Sequence, residues 1–593
     1  MTLCDVARFG AKLALRMAHL GAMMAAAITL ATVLGITSAA ASTLVETTNG
    51  WIQGKTVGSV DQWLGIRYAA SPTGVARWTP PKPPGSYGTR QDPYYATQFG
   101  APCPQNISQF GNSIPLPIPP NTVPVPGSAD SEDCLFLNIY VPADRHDDGG
   151  GPLPVFFWIH GGSNQFGEGS SFDPTLLVTE GHVIAVTINY RLGALGWLAH
   201  PLLDGSTLNS SGNYGLMDQQ FAMRWVKDNI SVFGGDPHKV TIAGESAGAL
   251  DTCSHLASPT AVGLFRGAII ESGCIIFQFP QPVLEAISGD PFVTGLGCAT
   301  LACLQAAPVS AVLGAALPLA WLPVLGPNVA TLPELPQQAF ADGNFNKVSV
   351  IQGTNLDEGR LFVPLFQGIV TSSGPATSTA IPYASAVAEL FAAYPNPPLA
   401  TIESQYPIAN YLSDGVAAAP GEAVAAIITD SLFACTARTA NQLLAKYVPV
   451  WAYEFKDTNA PELFNLPTVF PYGATHASEL QFIFDPNGFF PNVDYPVPTD
   501  PFPLSPAEQR LSRDMVRYWT NFVATLDPNR SGTGSKPGLV GWGEERHGDG
   551  WLPYDSKDDN VQALTTTSPS PEFGFGAEHQ CGFWEQLGLE SGL

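Results

Sequence analysis

Lys239-Val240-Thr241-Ile242-Ala243-Gly244-Glu245-Ser246-Ala247-Gly248-Ala249-Leu250 decides the fold of this chain. Lys239 to Ala243 is a β-branched run that reads as a buried strand, and Ala247 to Leu250 can turn straight into a helix. A serine on so tight a strand-to-helix turn is held in a strained backbone pose with its hydroxyl exposed. Glycine at 244 and 248 lets strand and helix pass closely, which a larger side chain would prevent. The pattern predicts a nucleophile at Ser246.

Outward from that turn, strand-like runs at Val155–Ile159, Val183–Asn189, Gly267–Glu271 and Val348–Gln352 alternate with helical stretches. One helix is Met217–Asn229, with Met217, Phe221 and Trp225 on one stripe. This alternation predicts an α/β fold, a large mostly parallel central sheet flanked by helices on both faces. Sites on such sheets lie at the carboxyl ends of the strands. Ala299–Ala341 and Thr371–Ala419 are rich in Ala, Pro and Leu and read as helical insertions roofing the active site.

Residues 1–41 read as a signal peptide. Arg8, Lys12 and Arg16 form a positive segment, Leu20 to Leu34 is almost wholly apolar, and Ser38-Ala39-Ala40-Ala41 offers small residues for cleavage before Ser42. The expectation is a secreted or periplasmic protein, residues 42–593 forming one catalytic domain. No other segment reads as long and apolar enough to span a bilayer, so no stable membrane insertion is expected. An apolar content of 45% over 593 residues suits a large enzyme core. The net charge of −25 and the lack of a basic patch argue against nucleic-acid binding.

Eight cysteines follow the leader, at 103, 134, 253, 274, 298, 303, 435 and 581. None forms a CxxC pair or stands at zinc-site spacing with histidine, so no metal and no cofactor is implied. An even number in an exported chain reads as disulfides. The Pro-rich stretch Ile114–Pro126 between Cys103 and Cys134 has no helical period and reads as extended surface chain. Sequons stand at Asn106, Asn209, Asn229 and Asn529, and Asn229 ends a helix that reads as buried.

A serine hydroxyl needs an imidazole to take its proton, and the imidazole needs a carboxylate to fix its tautomer. On this scaffold the order is Ser, acid, His. The acid follows the strand at Val348–Gln352, in Gly353-Thr354-Asn355-Leu356-Asp357-Glu358-Gly359, where spacing does not choose between Asp357 and Glu358. Of the later histidines, His547 lies in a charged segment and His579 beside Cys581. His476, in Gly473-Ala474-Thr475-His476-Ala477-Ser478-Glu479, reads as leading a helix among small residues and is the best base. Oxyanion donors are expected from Ala247 N–H and from the glycine-rich loop of Trp158-Ile159-His160-Gly161-Gly162-Ser163.

The chain resembles the type-B carboxylesterase/lipase family, the cholinesterase-like α/β-hydrolases. The likeness rests on Ser131-Glu-Asp-Cys-Leu-Phe-Leu-Asn138, Gly244-Glu-Ser-Ala-Gly248, Tyr190-Arg-Leu-Gly193, Gly212-Asn-Tyr-Gly-Leu-Met-Asp-Gln219 and Phe233-Gly-Gly-Asp-Pro237. It runs from Val45 to Trp584, nearly the whole chain after the leader. The resemblance implies that Glu358, not Asp357, is the acid, with Ser246 the nucleophile and His476 the base. It implies Gly162, Ser163 and Ala247 as oxyanion donors, and disulfides Cys103–Cys134, Cys298–Cys303 and Cys435–Cys581. Cys253 and Cys274 have no counterpart in that pattern, and a fourth bridge between them is an open pairing. Glu245 is expected to shape the field near the histidine.

Two departures stand out. Ser163 replaces a third glycine and Asn164 an aromatic residue, which predicts a more polar or roomier acyl side. The Cys103–Cys134 loop lacks the tryptophan that holds choline in cholinesterases, which argues against that activity. The resulting expectation is a secreted serine carboxylic-ester hydrolase that forms an acyl-enzyme on small-molecule esters. The alternatives are a triacylglycerol lipase acting on lipid, with the Cys103–Cys134 loop as lid, and a non-catalytic binding or adhesion protein.

Overall fold

The computed structural model describes residues 43–588 apart from 106–130, 146–150, 205–210, 278, 317–318, 368, 372–379, 393, 395, 464–467, 485–503 and 532–549. The signal segment, the Pro-rich stretch within the loop expected as a lid, Asn106, Asn209 and His547 lie outside the described residues.

Eleven strands form the main sheet among the described residues: β1 (Lys55–Val57), β2 (Val60–Arg67), β3 (Phe136–Pro142), β4 (Leu153–Ile159), β5 (Ile184–Ile188), β6 (Gly235–Glu245), β7 (Gly267–Glu271), β8 (Ser349–Asn355), β9 (Val450–Phe455), β10 (Val561–Leu564) and β11 (Ser570–Glu572). Their order across the sheet is β1-β2-β3-β5-β4-β6-β7-β8-β9-β10-β11. Neighbours from β5 to β10 pair in parallel, and the flanking pairs are antiparallel. This is the α/β-hydrolase sheet. The strand order reverses at β4, whose neighbours are β5 on one side and β6 on the other, and on such sheets ligands bind beyond the carboxyl ends at the switch point. β4 and β6 pair in parallel, so the loops after both leave the sheet at that end.

Alternation along β4 shows why both faces are covered. Val155, Phe157 and Ile159 join one apolar cluster with Leu216, Met223 and Val226 of α2 (Tyr214–Asn229) and Ala249 and Leu256 of α3 (Ala247–Ala257). Phe156 and Trp158 join the opposite cluster with Leu177 and Val178 of α1 (Thr175–Gly181) and with Leu511, Met515, Trp519 and Phe522 of the helix Pro506–Thr525. Each such side chain, fully buried, contributes about 1.5–3 kcal/mol. The Pro506–Thr525 helix starts with a capping box between Ser505 and Glu508, which satisfies orphan N–H groups at its N-terminus.

The insertions are built from short helices, among them Leu301–Ala306, Val309–Ala315, Pro336–Asp342, Tyr383–Leu390 and Leu399–Gln405. The last two pack through Tyr383, Val387 and Ile402 on Val424 and Ile427 of α4 (Ala419–Ile428), in a cluster that also takes in Leu250 beside the elbow. One expectation fails here. The helical run Ala419–Leu444, which is α4, a π-turn at Thr429–Ala434 and α5 (Cys435–Leu444), is long and apolar enough to cross a membrane. Its most apolar window is 78% buried inside the protein, so it reads as a core helix.

Disulfides join Cys103–Cys134, Cys298–Cys303 and Cys435–Cys581, and the open pairing is also made, Cys253–Cys274. Cys435–Cys581 spans 146 positions. On the chain-entropy model, closing so long a loop stabilises by about 5 kcal/mol.

Candidate active site

β6 runs to Glu245 and α3 begins at Ala247, leaving Ser246 at the turn with φ 56° and ψ −121°. A non-glycine residue in such a pose costs about 1–3 kcal/mol and persists only where its surroundings over-determine it. Here the Ser246 N–H donates to Glu271 O at 2.9 Å, and Ser246 O accepts from Leu250 N–H at 3.0 Å. A Cβ on Gly244 would stand 2.4 Å from Gly248 O, and one on Gly248 only 2.0 Å from Ile159 O. Both glycines are required by close approach.

Glu358 lies in the turn after β8 and is fully buried. Its Oε1 accepts from Thr354 Oγ1 at 2.7 Å and from Asn355 N–H at 2.8 Å. Its Oε2 lies 2.5 Å from His476 Nδ1. That contact assigns the Nδ1 proton to the carboxylate side and leaves Nε2 as the basic nitrogen. Asp357 turns elsewhere. It exchanges backbone and side-chain bonds with Ala474 and pairs with Arg360 at 3.1 Å, clamping the acid loop to the histidine loop.

His476 does not lead an α-helix as expected. It stands in a run of turns followed by the short 3₁₀ segment Leu480–Phe482. Asn355 Nδ2 donates to Thr475 O at 2.8 Å and so holds this loop to the end of β8. The ring packs against Phe362 and Phe433, at 4.8 and 5.0 Å between centroids. Among the described residues Nε2 has no hydrogen-bond partner, and Glu245 Oε1 lies 3.1 Å from it. The structure therefore joins Glu358 and Glu245 to His476 directly, but no hydrogen bond links Ser246 to the ring.

The loop after β4 lies against the elbow. A Cβ on Gly161 would be 3.0 Å from Ser246 Cβ. Gly162, Ser163 and Asn164 all have positive φ, at 100°, 55° and 58°, and Gly162 O accepts from Gln165 and Phe166 N–H. The N–H groups of Gly162 and Ser163 meet no acceptor among the described residues. Ala247 is the first residue of α3, and the first N–H groups of a helix have no intrahelical partner. Asn164 departs from expectation. It is fully buried and its amide bonds to Asp251 and Tyr190, so it lends no polarity to an acyl pocket.

Residues 41–584 match the sequence profile of the carboxylesterase family. The chain belongs to that family. It is 33% identical over 507 residues to para-nitrobenzyl esterase of Bacillus subtilis (strain 168), covering 82% of this chain and 90% of that protein. To cocaine esterase of Homo sapiens it is 32% identical over 496 residues, 80% of each. A solved thermophilic PNB esterase superposes with a TM-score of 0.69 at 28% identity, over 91% of this chain and 99% of that one. This carboxylesterase is a carboxylic-ester hydrolase, and its substrates are small-molecule esters.

In this carboxylesterase four buried carboxylates cluster around the site, and three of them, Glu245, Glu358 and Glu479, act on the imidazole of His476. Burial alone would lower the pKa of His476, but Glu245 and then Glu358 outweigh it and raise it to about 9. Burial pushes Glu245 up to about 8, with Glu479 and Glu358 adding and His476 opposing. Burial likewise lifts Glu479 to about 7 and Glu271 well above the carboxylate range. Glu271 and Glu479 were missed in the sequence, although both signals were present. Glu271 ends an expected strand in register with Glu245, and Glu479 closes the segment that carries His476.

His579 was also underrated. It is buried between Asp430 at 2.8 Å and Glu454 at 2.7 Å. Nearby, Glu454, Glu572 and Glu578 converge as a metal site would, but Lys456 Nζ lies 2.9–3.1 Å from all three and fills the place of a cation there.

Proposed function

We propose that this carboxylesterase acts through Ser246, His476 and Glu358 by way of an acyl-enzyme, and that it is exported after cleavage of residues 1–41. Ser246 Oγ attacks the ester carbonyl while Nε2 of His476 takes its proton. Glu358 holds the imidazolium through Nδ1–H. The tetrahedral oxyanion receives the N–H groups of Gly162, Ser163 and Ala247, each worth about 3–4 kcal/mol to the transition state. Collapse returns the proton from Nε2 to the leaving alcohol, and water activated by the same nitrogen then releases the acid. Nε2 must be unprotonated to begin, so the reactive form is the neutral imidazole beside Glu245.

The observation that carries this reading is the 2.5 Å contact between His476 Nδ1 and Glu358, at the carboxyl end of the sheet where Ser246 is held at positive φ. Export is supported by the charged-then-apolar leader and by four disulfides.

The test is hydrolysis of p-nitrophenyl esters from acetate to palmitate by the purified protein and by Ser246→Ala. Turnover that disappears in the variant supports the mechanism, and turnover that survives overturns it. A short-acyl optimum supports an esterase, whereas a sharp rise on long-chain esters above their solubility limit would replace it with a lipase. Sequencing of the exported protein should begin at Ser42.

A further inference from the structure

The residue after the candidate donor Ser163 opens a buried polar chain that the reaction does not explain. Asn164 Nδ2 donates to Asp251 Oδ1 at 3.3 Å, and its Oδ1 lies 3.3 Å from the hydroxyl of Tyr190, which donates to His160 O at 2.6 Å. Asp251 Oδ2 accepts from Gln219 Nε2 at 2.6 Å, and Gln219 Oε1 is 2.8 Å from His255 Nε2. Asn164, Asp251, Gln219 and His255 are all 0% exposed. Buried polar groups are costly unless each finds a partner, so a satisfied chain of this kind fixes one geometry.

Its placement gives that rigidity a use. The candidate donors come from two separate segments, the loop after β4 and the first residue of α3. Asn164 adjoins Ser163 in the first, and Asp251 lies one helical turn beyond Ala247 in the second. The backbone at Asn164 is left-handed, a pose asparagine tolerates better than the aromatic residue it replaces. Its carbonyl accepts from Gly193 N–H at 2.6 Å, so the loop is anchored on that side as well.

We propose that Asn164 and Asp251 are a positioning pair that sets the oxyanion loop in register with the start of α3. The proposal rests on the oxyanion assignment above. Neither side chain touches substrate. Their bond holds the Ser163 and Ala247 N–H groups aimed at one point, and a shift of about 1 Å there can cost on the order of 10²-fold in rate.

The test compares Asn164→Asp, Asp251→Asn and the exchange Asn164→Asp/Asp251→Asn on a soluble p-nitrophenyl ester. Asn164→Asp sets two carboxyl groups against each other, and the exchange restores one amide donor to one carboxylate. Asn164→Asp should lower kcat by about 10²-fold with KM within about twofold, and the exchange should recover most of the loss. Affinity for a trifluoromethyl ketone, which forms a tetrahedral adduct on Ser246, should fall and recover in parallel. Unchanged kcat in Asn164→Asp, or an exchange variant that folds but stays as slow, overturns the proposal. If Asn164→Asp does not fold, Asn164→Gly keeps the left-handed backbone and must show the same fall in kcat at constant KM. Serine-independent turnover, seen as an active Ser246→Ala, would sink the oxyanion reading itself. Serine-dependent turnover indifferent to position 164 would sink only the pair.

Discussion

Glu245 Oε1 lies 3.1 Å from Nε2 of His476, so the residue before Ser246 faces the nitrogen proposed to take the Ser246 proton. The contact raises the imidazole pKa, and a base with a raised pKa is protonated over a wider acid range. Removing the charge in Glu245→Gln should lower that pKa and move the acid limb of the kcat/KM profile to lower pH. The profile of wild type and variant on one ester decides it. An acid limb that stays put would show that Glu245 does not raise the imidazole pKa.

Asp357 and Glu358 are adjacent and differ entirely in what they touch. Glu358 meets the imidazole, while Asp357 ties Ala474 and Arg360. Glu358→Gln should therefore cut kcat by about 10³–10⁴-fold, since the ring loses the partner that fixes its tautomer. Asp357→Asn should change kcat by less than about tenfold, with a lower thermal midpoint. The reverse ranking would exchange their roles.

How much of this was legible in the sequence follows from what each feature depends on. The elbow and the strands around it were readable because β-branched runs and two glycines act locally, though the strand expected over Lys239–Ala243 extends over Gly235–Glu245 through sheet pairing. The choice of Glu358 over Asp357 was not readable from spacing, because it depends on which side chain the Gly473–Glu479 loop meets. The family resemblance supplied it. The expected helix at His476 failed because Asn355, from another strand, holds that loop in turns. The burial of the Asn164 amide was not readable from its type, because its partner Asp251 lies 87 positions away.

Gly248 should tolerate no side chain. A Cβ would meet Ile159 O at 2.0 Å and His160 O at 2.9 Å, both backbone atoms of the strand and loop that lead to the candidate oxyanion donors. Backbone cannot swing aside as a flexible side chain would, so Gly248→Ala must push α3 off β4. Overpacking of this kind costs about 1–3 kcal/mol or more. The expected result is a lower thermal midpoint together with loss of ester turnover. A variant with both properties intact would mean that α3 and β4 are less tightly apposed than described.

His579 offers a test of stability that is separate from catalysis. It is 3% exposed, and Asp430 and Glu454 bond to its two ring nitrogens. Burial lowers its pKa, but Glu454 and Asp430 outweigh this and raise it from 6.5 to about 10. Because the folded value lies above the unfolded one, its stabilising effect is complete below pH 6.5 and is lost as pH climbs through about 10. His579→Asn removes the cation and leaves two buried carboxylates facing each other, a loss of about 3–5 kcal/mol at the acid end of that window. Thermal midpoints of wild type and His579→Asn should differ most near pH 6.5 and converge toward pH 10. Curves that run parallel across the window would mean that His579 is not the charged centre of this cluster.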